Sequence, residues 1–304
     1  GYQHPKVVAA IQEQAGVLTT IAPSTANLTR AEAAGKVLSH APACFEKVFF
    51  TNAGADANEN AMRLARLYTG RDKIISRYRS YHGNTGAAVV ASGDWRRVPN
   101  EYARGHVHVF GPYLYRSEFW ATTPEQECAR ALHHLERVIQ AAGAETIAGI
   151  LLETVPGTAG IMVPPPGYLA GVRSACDAAG ALLVLDEVQT GLGRTGRMFA
   201  ADHEGVRPDM MVIGKALSGG FYPVSAVLAQ PELLGLFVPG EHGSTFGGNP
   251  LGMAVARAAL RVIAEEKLTE NAAQLGEYFM EQLSEIPSAH IKQVRGKGLL
   301  IGVE

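Results

Sequence analysis

Apolar positions along the chain mark out short elements of alternating kind. In residues 5–14, Val7, Val8 and Ile11 recur at helical spacing, and Thr29 ahead of RAEAAGKVLSH reads as an N-cap with Glu32 completing a capping box. KVFFTNAG is a short apolar run ending in small residues, and in the following ADANENAMRLARLYTG the residues Ala61, Leu64, Ala65 and Tyr68 share one helical face. Strand-like DKIISRY and HVHVF come next, then the helix PEQECARALHHLERVIQAAG, strand-like IAGILLE, the helix GYLAGVRSACDAAG and strand-like ALLVLDE. Such alternation predicts an α/β fold with a mostly parallel central sheet sandwiched by helices. DMMVIGK and VSAVLA are two further β-rich runs. The pattern changes near Asn249, where NPLGMAVARAALRVIAEE and TENAAQLGEYFMEQL read as long amphipathic helices. Residues 1–30 are therefore taken as the remainder of an N-terminal segment and residues 31–250 as the large domain. Residues 251–304 are taken as a linker helix and the beginning of a smaller α+β C-terminal domain.

Composition narrows the partners. With 304 residues, 47% hydrophobic and 18% charged, the chain can bury a substantial core. A formal net charge of -2 creates no basic field for nucleic acid or an anionic membrane, so a small-molecule partner is favoured. Cys44, Cys128 and Cys176 are odd in number and without metal-type spacing, which speaks against a disulfide framework or a metal site and fits a reducing cytoplasm. No apolar run approaches the roughly 20 residues of a membrane span, and GYQHPKVVAA is unlike a secretory leader. The chain has no initiating Met and stops just after LLIGV, so it reads as a piece of a longer protein. A small domain cut there exposes apolar surface, and this stretch alone is expected to be poorly soluble or inactive.

Ligands of open α/β sheets bind beyond the carboxyl ends of the strands, so those ends are where chemistry is sought. They carry Asn52 and Gly54 after KVFFT, Tyr81 and His82 beyond IISRY, Glu153 after GILL, Asp186 and Glu187 after LLVL, and Lys215 after MVIG. Each has an ordinary explanation taken singly. Lys215 reads as a solvated charge, Asp186 as a cap or ion-pair partner, Tyr81 as core, and the turn at Gly54 and Ala55 as a tight connection. Together they suggest more. Lys215 lies between an apolar strand and the glycine-rich ALSGGFYP, placed as an amine nucleophile towards an aldehyde. The fingerprint GxGxxG of dinucleotide binding is absent, which disfavours a dehydrogenase.

LLVLDEVQTGLGRTGRMFAADHEGVRPDMMVIGKALSGG resembles the cofactor-binding signature of the class III aminotransferases, pyridoxal-phosphate enzymes of fold type I. FFTNAGADANENAMRLAR is similar to that family's phosphate-binding turn, YHG to its ring-stacking segment, and HGSTFGGNPL to the loop that crosses its dimer interface. The half from about Leu182 is most like ornithine aminotransferases, and the front half resembles enzymes that use taurine or other ω-amino substrates with pyruvate. The resemblance implies pyridoxal 5′-phosphate held as a Schiff base on Lys215, which also moves the proton. It implies Asp186 on the pyridine nitrogen, Gln189 on the phenolic oxygen, Tyr81 against the ring, and the Gly54 and Ala55 amides on the phosphate. Thr245 would reach the phosphate in a neighbouring subunit, making a homodimer with shared sites. Glu153 reads either as orienting water or a carboxylate-binding Arg near the cofactor or as a buried acid satisfied by backbone amides, and His82 and Glu187 read as structural or orienting. Arg194 and Arg197 read as anchoring a surface loop or pairing with acidic neighbours.

At two positions the chain departs from ornithine aminotransferases, with Asn84 and Thr158 where they carry Arg and Glu. The family's carboxylate-binding Arg belongs to a region after Glu304. The expected activity is transfer of an amino group from an amino acid or amine, favoured to be ω-amino, to a 2-oxo acid such as pyruvate or 2-oxoglutarate. The competing expectations are an aminomutase, decarboxylase or phospho-lyase on the same cofactor, a truncated inactive form, and a cofactor-free scaffold. Intact Asp186, Gln189 and Lys215 weigh against the last.

Overall fold

The computed structural model describes residues 2–304. Seven strands form the central sheet: β1 (Lys47–Thr51), β2 (Lys73–Arg77), β3 (His106–Val109), β4 (Ile147–Glu153), β5 (Leu182–Asp186), β6 (Met210–Ile213) and β7 (Ser225–Ala229). Their order is β1-β7-β6-β5-β4-β2-β3, with β7 antiparallel to both neighbours and every other pairing parallel. The mostly parallel sheet expected from the alternation is present. The reversal of β7 was not legible in VSAVLA, because a run buried on both faces has the same composition in either direction.

Helices cover both faces: α1 (Pro5–Ala15), α2 (Leu28–Leu38), α3 (Gly54–Thr69), α4 (Gly86–Ala91), α5 (Pro124–Ala142), α6 (Tyr168–Ala179), α7 (Pro231–Leu234), α8 (Pro250–Glu265) and α9 (Leu268–Glu285). On one side Leu183 and Leu185 of β5 pack in a core with Leu135 of α5, Val172 of α6 and Leu260 of α8. On the other side Leu182 and Val184 pack with Ala57, Ala61 and Leu64 of α3. The alternation of side chains along a strand thus divides β5 between two cores. Beyond α9, β8 (Val294–Lys297) and β9 (Leu300–Val303) form a separate antiparallel hairpin, tied to the body where Leu299 N donates to Arg194 O at 3.1 Å. Among the described residues no helix is long and apolar enough to cross a membrane.

The start of α2 corrects the sequence reading. Its cap is Asn27, whose side chain accepts from Arg30 N at 3.0 Å, while Thr29 already lies inside the first turn. Asn and Thr are both good caps. The extended backbone at Asn27, φ -142° and ψ 125°, decides between them, and periodicity alone does not report it.

Near the end of β2 the chain passes close to itself. Gly93 N donates to Ser80 O and Arg79 N to Gly93 O, both at 3.0 Å. A Cβ on Gly93 would stand 2.0 Å from Arg77 O and 2.5 Å from Tyr78 Cα, backbone atoms that cannot rotate away. Gly93→Ala is therefore expected to cost about 1–3 kcal/mol, read as a lowered urea midpoint at unchanged slope. A stability equal to the parent's would show that the two segments separate freely.

Candidate active site

At the carboxyl ends of the strands lies a cavity of about 310 Å3, within the roughly 300–1,000 Å3 usual for small-molecule sites. Its wall contains Gly54 and Ala55 at the start of α3, Tyr81 and His82 beyond β2, Glu153 at the end of β4, Asp186 and Gln189 at and beyond β5, and Lys215 beyond β6. Residues spread over more than 160 positions meet there because β2, β4, β5 and β6 are contiguous and run the same way.

Asp186 is 4% exposed. Its Oδ2 accepts from Asn58 Nδ2 and faces His82 Nδ1, both at 2.8 Å, and its Oδ1 accepts from Val188 N at 3.0 Å. A carboxylate offers about four acceptor positions, so one is left for a donor in the cavity. With Asp186 accepting, His82 Nδ1 carries the proton. The histidine is in turn fixed by its backbone, His82 N donating to Ser92 Oγ at 2.9 Å, while Asn58 Nδ2 also donates to His82 O at 2.9 Å. His82 Nε2 and Asn58 Oδ1 are buried without a partner.

Glu153 stands directly across from Asp186 in the β4–β5 register and is also 4% exposed. Burial pushes its carboxyl above the usual range, His82 opposes this, Asp186 adds to it, and the amides of Tyr81 and Gly157 oppose it again. Those two amides are its ligands: Oε1 accepts from Tyr81 N at 2.9 Å and Oε2 from Gly157 N at 3.1 Å. Gly157 lies flat on Gln189, since a Cβ there would come within 2.3–2.5 Å of the carboxamide atoms. One carboxyl therefore ties the segment bearing Tyr81 to the loop that backs Gln189.

Lys215 sits at φ +40°, in the left-handed region, as the first residue of the single 3-10 turn Lys215–Ser218. A residue with a Cβ costs of order 1–3 kcal/mol there, and such strain collects at functional sites. Ser218 Oγ donates to Lys215 O at 2.8 Å and accepts from Gly220 N at 3.2 Å, holding the turn. The start of α3 has Ala53 at its N-cap and no side-chain cap, so its first amides border the cavity uncapped.

Of the residues singled out from the sequence, Thr245 lies elsewhere. It is exposed and lines a separate open groove of about 650 Å3 with Thr20, Ile21, Ala22, Pro23, Gly243 and Ser244. Asn52 lines the first cavity and reaches towards the second, with Nδ2 at 3.5 Å from Ser244 Oγ. Sequence reasoning missed Asn58, Val188, Gly157 and Ser218. Asn58 had one available signal, a polar residue on the buried face of an amphipathic helix whose apolar neighbours are Ala57 and Ala61.

Glu187, next to Asp186, faces the other way. Its Oε1 accepts from Thr154 Oγ1 at 2.9 Å and Ala201 N at 2.8 Å, and its Oε2 accepts from Ala200 N at 3.0 Å and from the Thr190 hydroxyl. It takes no part in the cavity wall and pins the segment after β5.

The family model Aminotransferase class-III matches residues 1–304. Ornithine aminotransferase 2 of Staphylococcus aureus is 39% identical over 314 aligned positions, covering 100% of this chain and 73% of that protein. Among solved structures, taurine:2-oxoglutarate aminotransferase of Bifidobacterium kashiwanohense, in complex with PLP and glutamate, superposes with a TM-score of 0.94 at 36% identity, over 100% of this chain and 70% of that one. A thermostable omega transaminase 4-fold mutant from Pseudomonas jessenii gives a TM-score of 0.93 at 32% identity, over 100% and 71%.

Replacing Glu187 by Ala strands four donors in the interior. Leaving a buried donor unsatisfied costs about 1–3 kcal/mol, and the four are not additive, so a loss of about 3–5 kcal/mol is expected in chemical denaturation. A loss below about 1 kcal/mol would show that water replaces the carboxylate.

Proposed function

The chain belongs to the class-III aminotransferases, and on that premise we propose that the cavity ending β4, β5 and β6 is where it transfers its amino group. The reaction is pyridoxal-phosphate-dependent and moves an amino group from an amine donor to a 2-oxo acid.

The residues present suit that cofactor. The unspent acceptor position on Asp186 matches a protonated ring nitrogen, and the uncapped amides at the start of α3 match a phosphate. The carboxamide of Gln189 on the same wall can donate to a phenolic oxygen. Tyr81 and Val188 supply flat and branched apolar surface for an aromatic ring. The reading is carried by one observation above the others: a buried carboxylate with one acceptor position left, sharing a cavity with a strained lysine.

When bound, pyridoxal phosphate supplies an aldehyde and an electron-withdrawing ring. Lys215 would hold the aldehyde carbon through Nζ, and the same amine, when free, would take and return a proton at the substrate carbon. Asp186 would keep the ring nitrogen protonated, and His82 and Asn58 keep Asp186 oriented for this. Glu153 would hold Tyr81 and Gln189 in register with each other. Gly54 and Ala55 would hold the phosphate from one chain and Thr245 from a second, in a homodimer whose sites are shared.

An ω-amino donor other than ornithine suits the outer wall best. Asn84 lines the cavity and Thr158 is exposed in the loop after β4, at the positions where ornithine aminotransferases bear Arg and Glu. Those charges are the ones an α-amino, α-carboxyl substrate would need balanced.

Three outcomes test these assignments. Lys215→Ala loses the borohydride-fixable adduct and yields no stoichiometric pyridoxamine phosphate from donor alone, and retention of either would remove Lys215 from its role. Asp186→Asn lowers kcat/KM on the order of a hundredfold or more while the fold survives. In a donor panel with pyruvate and 2-oxoglutarate, taurine or another ω-amino acid exceeds ornithine in kcat/KM by at least about tenfold, and the reverse order would restore ornithine as donor.

A further inference from the structure

The guanidinium carbon of Arg96 lies 4.3 Å from the centroid of the Tyr81 ring. The other arginine–aromatic contacts among the described residues stand at 5.2 Å or more. Tyr81 belongs to the cavity wall and Arg96 does not, so the cation meets the ring without itself lining the cavity.

Both ends of this contact are fixed. Asp94 Oδ2 accepts from both Arg96 Nε, at 2.8 Å, and Arg96 Nη2, and its Oδ1 accepts from Arg96 N at 2.9 Å, so one carboxylate holds the guanidinium and the backbone that carries it. Asp94 follows Gly93, whose close approach to Arg77 and Tyr78 locks the 93–96 segment against the chain leading into Tyr81. On the other side, Tyr81 N is held by Glu153. The ring is therefore set by a carboxylate at its backbone and a paired cation over its face.

We propose that Arg96, oriented by Asp94, is a positioning residue for Tyr81 and fixes the plane in which that ring meets the cofactor. The inference rests on Tyr81 being the ring-stacking residue of the proposed site. A cation on one face of a phenol ring is attracted by its quadrupole and cannot be replaced by an apolar side chain of the same length. Losing it frees the ring to tilt, which loosens the cofactor and changes its asymmetric environment without removing any group that touches it.

The experiment compares Arg96→Met, Asp94→Asn and Tyr81→Ala in the cofactor-loaded dimer. Measured are the cofactor dissociation constant, the circular dichroism of the cofactor absorption band per mole bound, and the thermal midpoint. Arg96→Met is expected to weaken cofactor binding about two- to fivefold and to reduce the cofactor-band dichroism. Asp94→Asn should change both in the same direction and less, and it carries the test if Arg96→Met does not fold. Arg96→Met placed on Tyr81→Ala should add nothing further to either readout. If Tyr81→Ala alters dissociation and dichroism while Arg96→Met and Asp94→Asn leave both at the parent values, the proposal is wrong and the site stands. Parent values in Tyr81→Ala itself would overturn the ring-stacking role and the proposal with it. A change confined to the thermal midpoint would show that Arg96 only stabilises its loop, which also overturns the proposal.

Discussion

The rest of the site depends on one constraint, the satisfaction of a carboxylate placed where water hardly reaches. An unpaired carboxylate in a protein interior costs several kcal/mol, and an interior charge persists only where donors are aimed at it. Asp186 meets that requirement with Asn58 from α3, His82 from the segment after β2, and the amide of Val188 in its own loop. Each donor belongs to a different wall of the cavity. Holding the carboxylate therefore also holds the helix that opens at Gly54, the segment that carries Tyr81, and the loop that carries Gln189. The carboxylate and the scaffold are joined through the same three bonds.

The neighbouring pair Asp186 and Glu187 illustrates how strand geometry assigns roles. Side chains alternate across a sheet, so Leu182, Val184 and Asp186 turn towards α3, and Glu187 turns away. Both acids are buried and both are hydrogen-bonded. The difference lies in what remains: Glu187 has its four acceptor positions filled by protein donors, while Asp186 has one left over beside a cavity. A spare acceptor on a buried acid is costly to keep unless something fills it. That distinction separates the carboxylate saturated by the protein from the one with a position open to the cavity, although the two are adjacent in the sequence.

Much of this was legible from the chain. Strand ends in an alternating α/β pattern name Glu153, Asp186 and Lys215 on topology alone, and Gly54 follows from the strand–turn–helix at KVFFTNAG. The illegible part has a common character. Asn58 reaches Asp186 across 128 positions, and Gly157 meets the Gln189 amide only because two loops fold together. Arg96 lies 15 residues past Tyr81, yet it meets that ring only because the chain doubles back at Gly93. Residues with a chemical signature could be picked out singly, but the ones that orient them have ordinary identities and acquire their meaning from contacts. Thr29 failed for a smaller reason: two acceptable caps stood two positions apart, and the backbone chose Asn27.

The supporting bonds also explain why the wall is built from several short segments without becoming loose. A site on loops is less exact than one on strands or helices unless a second set of contacts locks it. Here Glu153, rooted at the end of a strand buried along its whole length, reaches two loops at once, one oxygen to each. Displacing either loop would leave half of a buried carboxyl unpaired, so the two move together or not at all. Lys215 is secured on the opposite side by a different device, a strained backbone closed by Ser218. The two walls share no residue of support, and the cavity between them keeps its width because both are anchored in the same sheet, β4 and β6 flanking β5.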